Sequence, residues 1–234
     1  METVETKLKG RIPNSLLNII RDYAEIYGIE LVPDRALESI RSEWAGLIDL
    51  HPIEDCEQYL EQTHVFSQFI LSQYFPQDIY LTMVKNCIIP ILEKYEIGSL
   101  LDYRSGIGIV ATIAAKHGIR SYCYEDRGLL GEFAMEQAMI YHLPISFDLI
   151  QQVDAVFTGG GLSITRHPES IITEIDKVLR PGGILIVNTL PYILSYPFNP
   201  DDSEPEWKAI LMHRGYLLIE DMTWQKPTGD TVNG

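Results

Sequence analysis

The sequence predicts an α/β protein: a doubly wound, mostly parallel sheet behind an all-helical N-terminal domain. Three observations predict it. From residue 97 onward, short apolar runs of strand length alternate with helical segments. The first of these runs ends in a polar, glycine-containing turn that leads into a helix. The first 95 residues, by contrast, carry apolar side chains at helical spacing and show no β-type alternation. The division expected is therefore a helical cap over residues 1–95 and a sheet domain over 96–234.

In the cap, Pro13-Asn14-Ser15 starts a helix whose apolar face is Leu16, Leu17, Ile19, Ile20, Tyr23 and Ile26, with Gly28 as its stop. Asp34 caps a second helix carrying Leu37, Ile40, Trp44 and Leu47 on one face. A third runs from near Glu54 to the break at Phe75-Pro76, and a fourth, 79–95, is expected to kink or restart at Pro90. In the sheet domain the reading is a strand over 97–103, a helix over 110–117, a strand over 121–124 and a helix over 129–142. A strand over 153–157, a helix over 171–179, a turn at Arg180-Pro181-Gly182-Gly183 and a buried strand over 184–188 follow. A helix over 207–213 and one last strand over 215–222 complete it, with crossovers expected to be right-handed.

Composition narrows the function. Eighteen Lys and Arg against 33 Asp and Glu leave a formal charge of −15, the wrong sign for neutralising nucleic-acid phosphates or docking on an anionic leaflet. No nucleic-acid or membrane partner is expected, and no uninterrupted apolar run reaches the length of a membrane span. Three cysteines without C-x-x-C spacing indicate neither a disulfide framework nor a metal site. With no apolar stretch near the start, a cytoplasmic protein with reduced thiols is the expectation.

The chemistry is expected beyond the carboxyl ends of the strands, where strand order reverses. The first strand-to-helix turn reads LLDYRSGIGIVATIAAKHG; Gly106 and Gly108 let backbone approach a ligand closely. Glu125 ends the next strand, 17 residues beyond Gly108, where a carboxylate accepts both hydroxyls of a ribose. Gly106-x-Gly108-x-x-Ala111 also matches the dinucleotide fingerprint, which keeps a nicotinamide cofactor as a competing expectation. Asp102, ending the first strand, opposes a pyrophosphate by charge sign and suits a ligand bearing an ammonium group.

These segments, with SYCYED, VDAVFTGGGL and VLRPGGILIVNTL in this order, resemble the class I S-adenosylmethionine-dependent methyltransferases over roughly residues 97–222. The resemblance implies a Rossmann-like methyltransferase fold and S-adenosylmethionine as cofactor; the absence of basic clusters makes a small-molecule acceptor the expectation. It places Asp102 near the methionine amino group, the loop of Arg104, Ser105, Gly106 and Gly108 beside the cofactor, Glu125 on the ribose, Asp148 near the adenine amino group and Thr158 at the end of the fourth strand. The sequence departs from the family's pattern where Arg104 replaces the first loop glycine and where only 148–152 separate the third strand from the fourth. A third departure is that the chain ends where the family's final antiparallel strand would be starting. Tyr74-Phe75-Pro76, Arg104-Ser105-Gly106, Tyr124-Glu125-Asp126, Tyr196-Pro197 and the segment 226–233 are similar to patches of the nicotianamine synthases, which transfer the aminobutyl group of the same cofactor. A non-catalytic cofactor-binding protein of this fold is the further alternative. Catalytic residues stay unassigned; His64, His167 and Tyr192 are the candidates for a base or a substrate contact, and no metal ligand set is present.

Overall fold

The computed structural model describes residues 83–125, 128–148, 152–159, 162, 167–188 and 200–228. The helices expected over residues 1–82, and with them His64, lie outside the described residues, as do Gly160, Gly161 and Tyr192. The described part begins with a π-helical turn, Val84–Ile88, that runs into helix α1 (Ile89–Lys94). The restart expected at Pro90 is present. Proline lacks the N–H a continuous α-helix would use, and the Ile89 N–H instead reaches back five residues to the Val84 carbonyl. Val84, Ile88, Ile89 and Leu92 pack in one cluster with Leu100, Phe157, Ile184 and Ile186 of the sheet, so this helix is part of the sheet's own core.

Strands β1 (Ser99–Tyr103), β2 (Arg120–Tyr124), β3 (Ile145–Ser146), β4 (Val153–Gly159), β5 (Leu179–Asn188), β6 (Leu217–Glu220) and β7 (Thr223–Gln225) form one seven-stranded sheet in the order β3-β2-β1-β4-β5-β7-β6. The first five are parallel neighbours; β7 runs antiparallel to both β5 and β6. Strand order reverses between β1 and β4, which opens a crevice beyond their carboxyl ends. Helices α2 (Ile109–Lys116), α3 (Gly128–Ile140), α4 (Pro168–Val178) and α5 (Pro200–His213) connect the strands.

A strand buried on both faces calls for apolar residues; in β1 only Ser99 at its start and Asp102 near its end break the run. Successive residues serve opposite faces. Leu100, Phe157, Ile184 and Ile186 meet α1 and α2 on one side, and Leu101, Val156, Leu185 and Val187 meet Ile172 and Ile175 of α4 and Trp207 and Leu211 of α5 on the other. Helix α2 is buried from Ile109 through Ala115, and its alanines allow the close approach.

Two expectations are corrected at the C-terminal side. The Arg180–Gly183 turn lies within β5 as a bulge: Val153 pairs Leu179 and Ala155 pairs Ile184, leaving four residues opposite the single Asp154. Asp154 anchors this irregularity by accepting from Arg180 Nε (2.6 Å), Ser99 Oγ (2.8 Å) and the Gly98 N–H (3.1 Å). Those partners hold its carboxyl below the usual range despite the opposing effect of burial. The single strand expected over 215–222 is instead a hairpin of β6 and β7, so the final antiparallel strand is present at Thr223–Gln225. Its turn passes through Met222 at φ 59°, a left-handed position with no glycine or asparagine to announce it.

The bulge makes a stability prediction. A Cβ on Gly183 would stand 2.6 Å from Leu179 Cδ1, 2.8 Å from the Arg180 carbonyl oxygen and 3.0 Å from that of Asp154. Backbone on two sides cannot yield, so Gly183→Ala is expected to cost about 1–3 kcal/mol through overpacking. A thermal melt unchanged from wild type would show that the bulge relaxes freely.

Candidate active site

The loop between β1 and α2 is built by backbone conformations that side chains resist. Arg104, Gly106 and Gly108 all have positive φ, at 53°, 57° and 71°. A Cβ on Gly108 would lie 3.0 Å from Cys123 Sγ and 3.3 Å from Ala134 Cβ, so conformation and space both require glycine there. At Arg104 the same left-handed turn carries a side chain, which explains why the resembling family places glycine at this point. Three bonds tie the loop down: the Ser105 N–H donates to the Tyr124 carbonyl (3.1 Å), the Gly106 N–H to Glu125 Oε2 (2.6 Å) and the Gly108 N–H to the Ser105 carbonyl (2.9 Å).

Asp102 sits wholly buried at the end of β1, in register with Cys123 of β2 and Phe157 of β4. Burial pushes its carboxyl up to about 8, the charge of Glu125 adds to the rise, and the Ala111 N–H donated to Oδ2 (3.1 Å) opposes it. At neutral pH the carboxyl is therefore mostly protonated, where the sequence reading expected a charge. Beside it, burial and then Asp102 keep the Cys123 thiol protonated, which removes it as a nucleophile.

The expected residues gather unequally. Asp102, Arg104, Ser105, Gly106, Gly108 and Glu125 form one cluster at the ends of β1 and β2. Thr158 is fully buried near the end of β4, one register step beyond Phe157 and paired with Val187 of β5. Asp148 lies exposed two residues past β3, where its own N–H reaches Ser146 Oγ at 3.4 Å. His167 stands apart, lining an open groove of about 540 Å³ along α4 with Glu169, Glu174, Lys177 and Glu206. The Tyr103 hydroxyl donates to Glu174, which links that groove's wall to the end of β1.

Two observations fit a polar ligand in the crevice. Thr158 Oγ1 is buried with no hydrogen-bond partner among the described residues. Ser105 Oγ is likewise buried and, although it lies near the Cys123 thiol, makes no bond of normal geometry there. Buried hydroxyls are normally satisfied, so these two have acceptor and donor capacity to spare.

Residues 101–187 match the methyltransferase domain family. The matched segment is similar to the methyltransferase domains that its motifs resemble, and that likeness supports S-adenosylmethionine as the cofactor. An uncharacterized chloroplastic methyltransferase of Arabidopsis thaliana is 36% identical over 69 residues, 30% of this chain. The match spans only 19% of that relative's length. Among solved structures, a proposed S-adenosylmethionine-dependent methyltransferase from Methanococcus maripaludis aligns over 65% of this chain and 87% of its own, with 18% identity and a TM-score of 0.49. A methyltransferase from Thiobacillus denitrificans in complex with S-adenosyl-L-homocysteine aligns over 61% and 73%, with 19% identity and a TM-score of 0.43.

The sequence reading missed Gln137, whose amide reaches into the glycine loop from α3. The signal was available: Gln137 stands four residues after Phe133 and three after Ala134, on the buried stripe of that helix. A polar residue on an apolar stripe asks for a partner. Among the described residues no helix is long and apolar enough to cross a membrane, and no group of three metal-ligating side chains occurs.

Proposed function

We propose that this chain transfers the methyl group of S-adenosylmethionine to a small-molecule acceptor in the crevice beyond β1 and β4. The observation that carries the reading is Asp102: a buried carboxyl at the point of strand reversal, beside a loop whose backbone only glycines adopt without cost. The cofactor supplies a sulfonium-activated methyl group; the protein's own residues have to hold and orient it. Asp102, ionised by the approach of an ammonium group, would hold the amino-acid end. Glu125, already fixed by Gly106, would accept from the ribose hydroxyls, and Ser105 and Thr158 have hydroxyls to offer. Arg104 and Asp148 are assigned to the same ligand from the sequence alone, at its carboxylate and its adenine.

Orientation is most of what an in-line transfer from an activated donor requires, which fits the unassigned general base. The charge of −15 supports a small acceptor over nucleic acid or an anionic membrane. Free thiols at Cys87 and Cys123 favour a reducing compartment, and a cytoplasmic location belongs to this reading. Calorimetric titration with S-adenosylhomocysteine is the first test. Saturable binding is expected, and no heat at millimolar ligand would remove the reading. Cofactor labelled in its methyl group then tests the reaction. Label in the acceptor supports methyl transfer, whereas label recovered only in methylthioadenosine redirects the assignment to aminobutyl transfer.

A further inference from the structure

We infer that Gln137 is a positioning residue for the cofactor loop: its buried amide sets the direction of the Ile107–Gly108 peptide on which the loop's shape depends. The inference rests on the function proposed above and goes beyond it, to a residue of α3 that lies outside the loop itself.

Gln137 is only 3% exposed, and its Nε2 donates to the Ile107 carbonyl at 3.2 Å and to Thr112 Oγ1 at 3.0 Å. The first bond ends in the middle of the loop, between Gly106 and Gly108; the second ends on the first turn of α2. Ile107 is wholly buried, so its side chain anchors the loop's middle in the core. Its peptide has no such anchor. Gly108, without a Cβ, leaves the peptide on its N-terminal side free to rotate through conformations other residues resist. The observed orientation is held from both ends: the Ile107 carbonyl accepts from Gln137, and the Gly108 N–H donates to Ser105 at 2.9 Å. A buried carbonyl deprived of its donor would turn to find another, and the Gly108 N–H would leave Ser105 with it. Ser105 and Gly106, the loop residues expected to face the cofactor, would then lose the turn that sets their direction.

Wild type, Gln137→Met and Thr112→Val separate this role from packing. Gln137→Met keeps the volume and removes the donor; Thr112→Val keeps the shape and removes only the second acceptor. Three quantities are read: exchange of the Gly108 amide, affinity for S-adenosylhomocysteine by calorimetry, and thermal stability without ligand. In Gln137→Met the Gly108 amide is expected to exchange at least about tenfold faster and binding to weaken about tenfold, one decade in the binding constant. Thr112→Val is expected to lower the melting temperature while leaving both readings within about twofold. Affinity losses in the two variants that track their melting temperatures alone would reduce Gln137 to a packing residue and overturn the inference. Should Gln137→Met fail to fold, Gln137→Asn, with the amide one methylene short, is read for the same two quantities. The two failures are distinguishable: wild type that binds no S-adenosylhomocysteine overturns the proposed function, whereas an unchanged Gly108 exchange in the variant overturns the positioning role.

Discussion

Glu125→Ala is expected to weaken S-adenosylhomocysteine binding by at least about tenfold, and more than any other single loss of charge in this domain. The carboxylate stands at the end of β2, and in the proposed site it accepts from two ribose hydroxyls. Each charge-assisted bond contributes roughly 1.5–3 kcal/mol, and about 1.4 kcal/mol already amounts to a decade in affinity. The structure adds a second loss. Oε2 accepts the Gly106 N–H at 2.6 Å, so removing the carboxylate also releases the loop at a residue with φ 57°. Glu125→Gln, which keeps an acceptor for Gly106, is therefore expected to fall between wild type and alanine. Asp126→Ala removes the same charge at the next position in sequence and serves as the control for net charge. Equal affinities for wild type and Glu125→Ala, both folded by circular dichroism, would sink the ribose assignment.

The second large effect is in pH. The Asp102 carboxyl, held up to about 8 by burial and then by the charge of Glu125, binds a proton in the folded chain that an ordinary carboxyl has already lost. The folded state thus carries more protons than the unfolded one between the ordinary carboxyl range and about pH 8, and the linkage sign follows: this group's effect on stability becomes steadily less favourable as pH rises through that window, then levels off. A ligand that brings a positive charge to Asp102 must displace the proton. Affinity for S-adenosylhomocysteine is expected to rise by up to about tenfold per pH unit from pH 6 towards 8 and to flatten above it. Binding heats below pH 8 should depend on the ionisation enthalpy of the buffer, as release of a proton requires. Asp102→Asn, which keeps an acceptor for the Ala111 N–H, is expected to bind weakly with little pH dependence and to be the more stable protein at pH 8. An affinity profile of the same slope in wild type and Asp102→Asn would remove Asp102 from the ligand.

Much of the fold was legible because its signals are local. Apolar runs of strand length, helical spacing and the turn residues at 106–108 each depend on residues close in sequence, and the observed α2, β2 and α4 lie within a few residues of where they were expected. The errors fell where no local signal exists. Leu217–Glu220 and Thr223–Gln225 read as one strand because Met222 takes the left-handed position of the turn, where neither glycine nor asparagine marks it. Arg180–Gly183 read as a turn before a strand, whereas Asp154, 26 residues away, holds it inside the ladder as a bulge.

By itself the sequence determined that strands and helices alternate after residue 97, that glycines stand where the first strand turns into its helix, and that Asp102 and Glu125 end adjacent strands. Periodicity and turn chemistry act over a few residues, so a linear reading reaches them. Only the tertiary structure decided what those residues are. Burial, set by α2 and the neighbouring strands together, turned Asp102 from an expected charge into a neutral acid. Pairing across the strand ends made Glu125 a clamp on the loop as well as a candidate ribose ligand. Packing of α3 against that loop brought Gln137 to a carbonyl 30 positions earlier in the chain. Desolvation and hydrogen-bond partnership are properties of neighbours in space, and those neighbours exist only once the chain has closed its sheet.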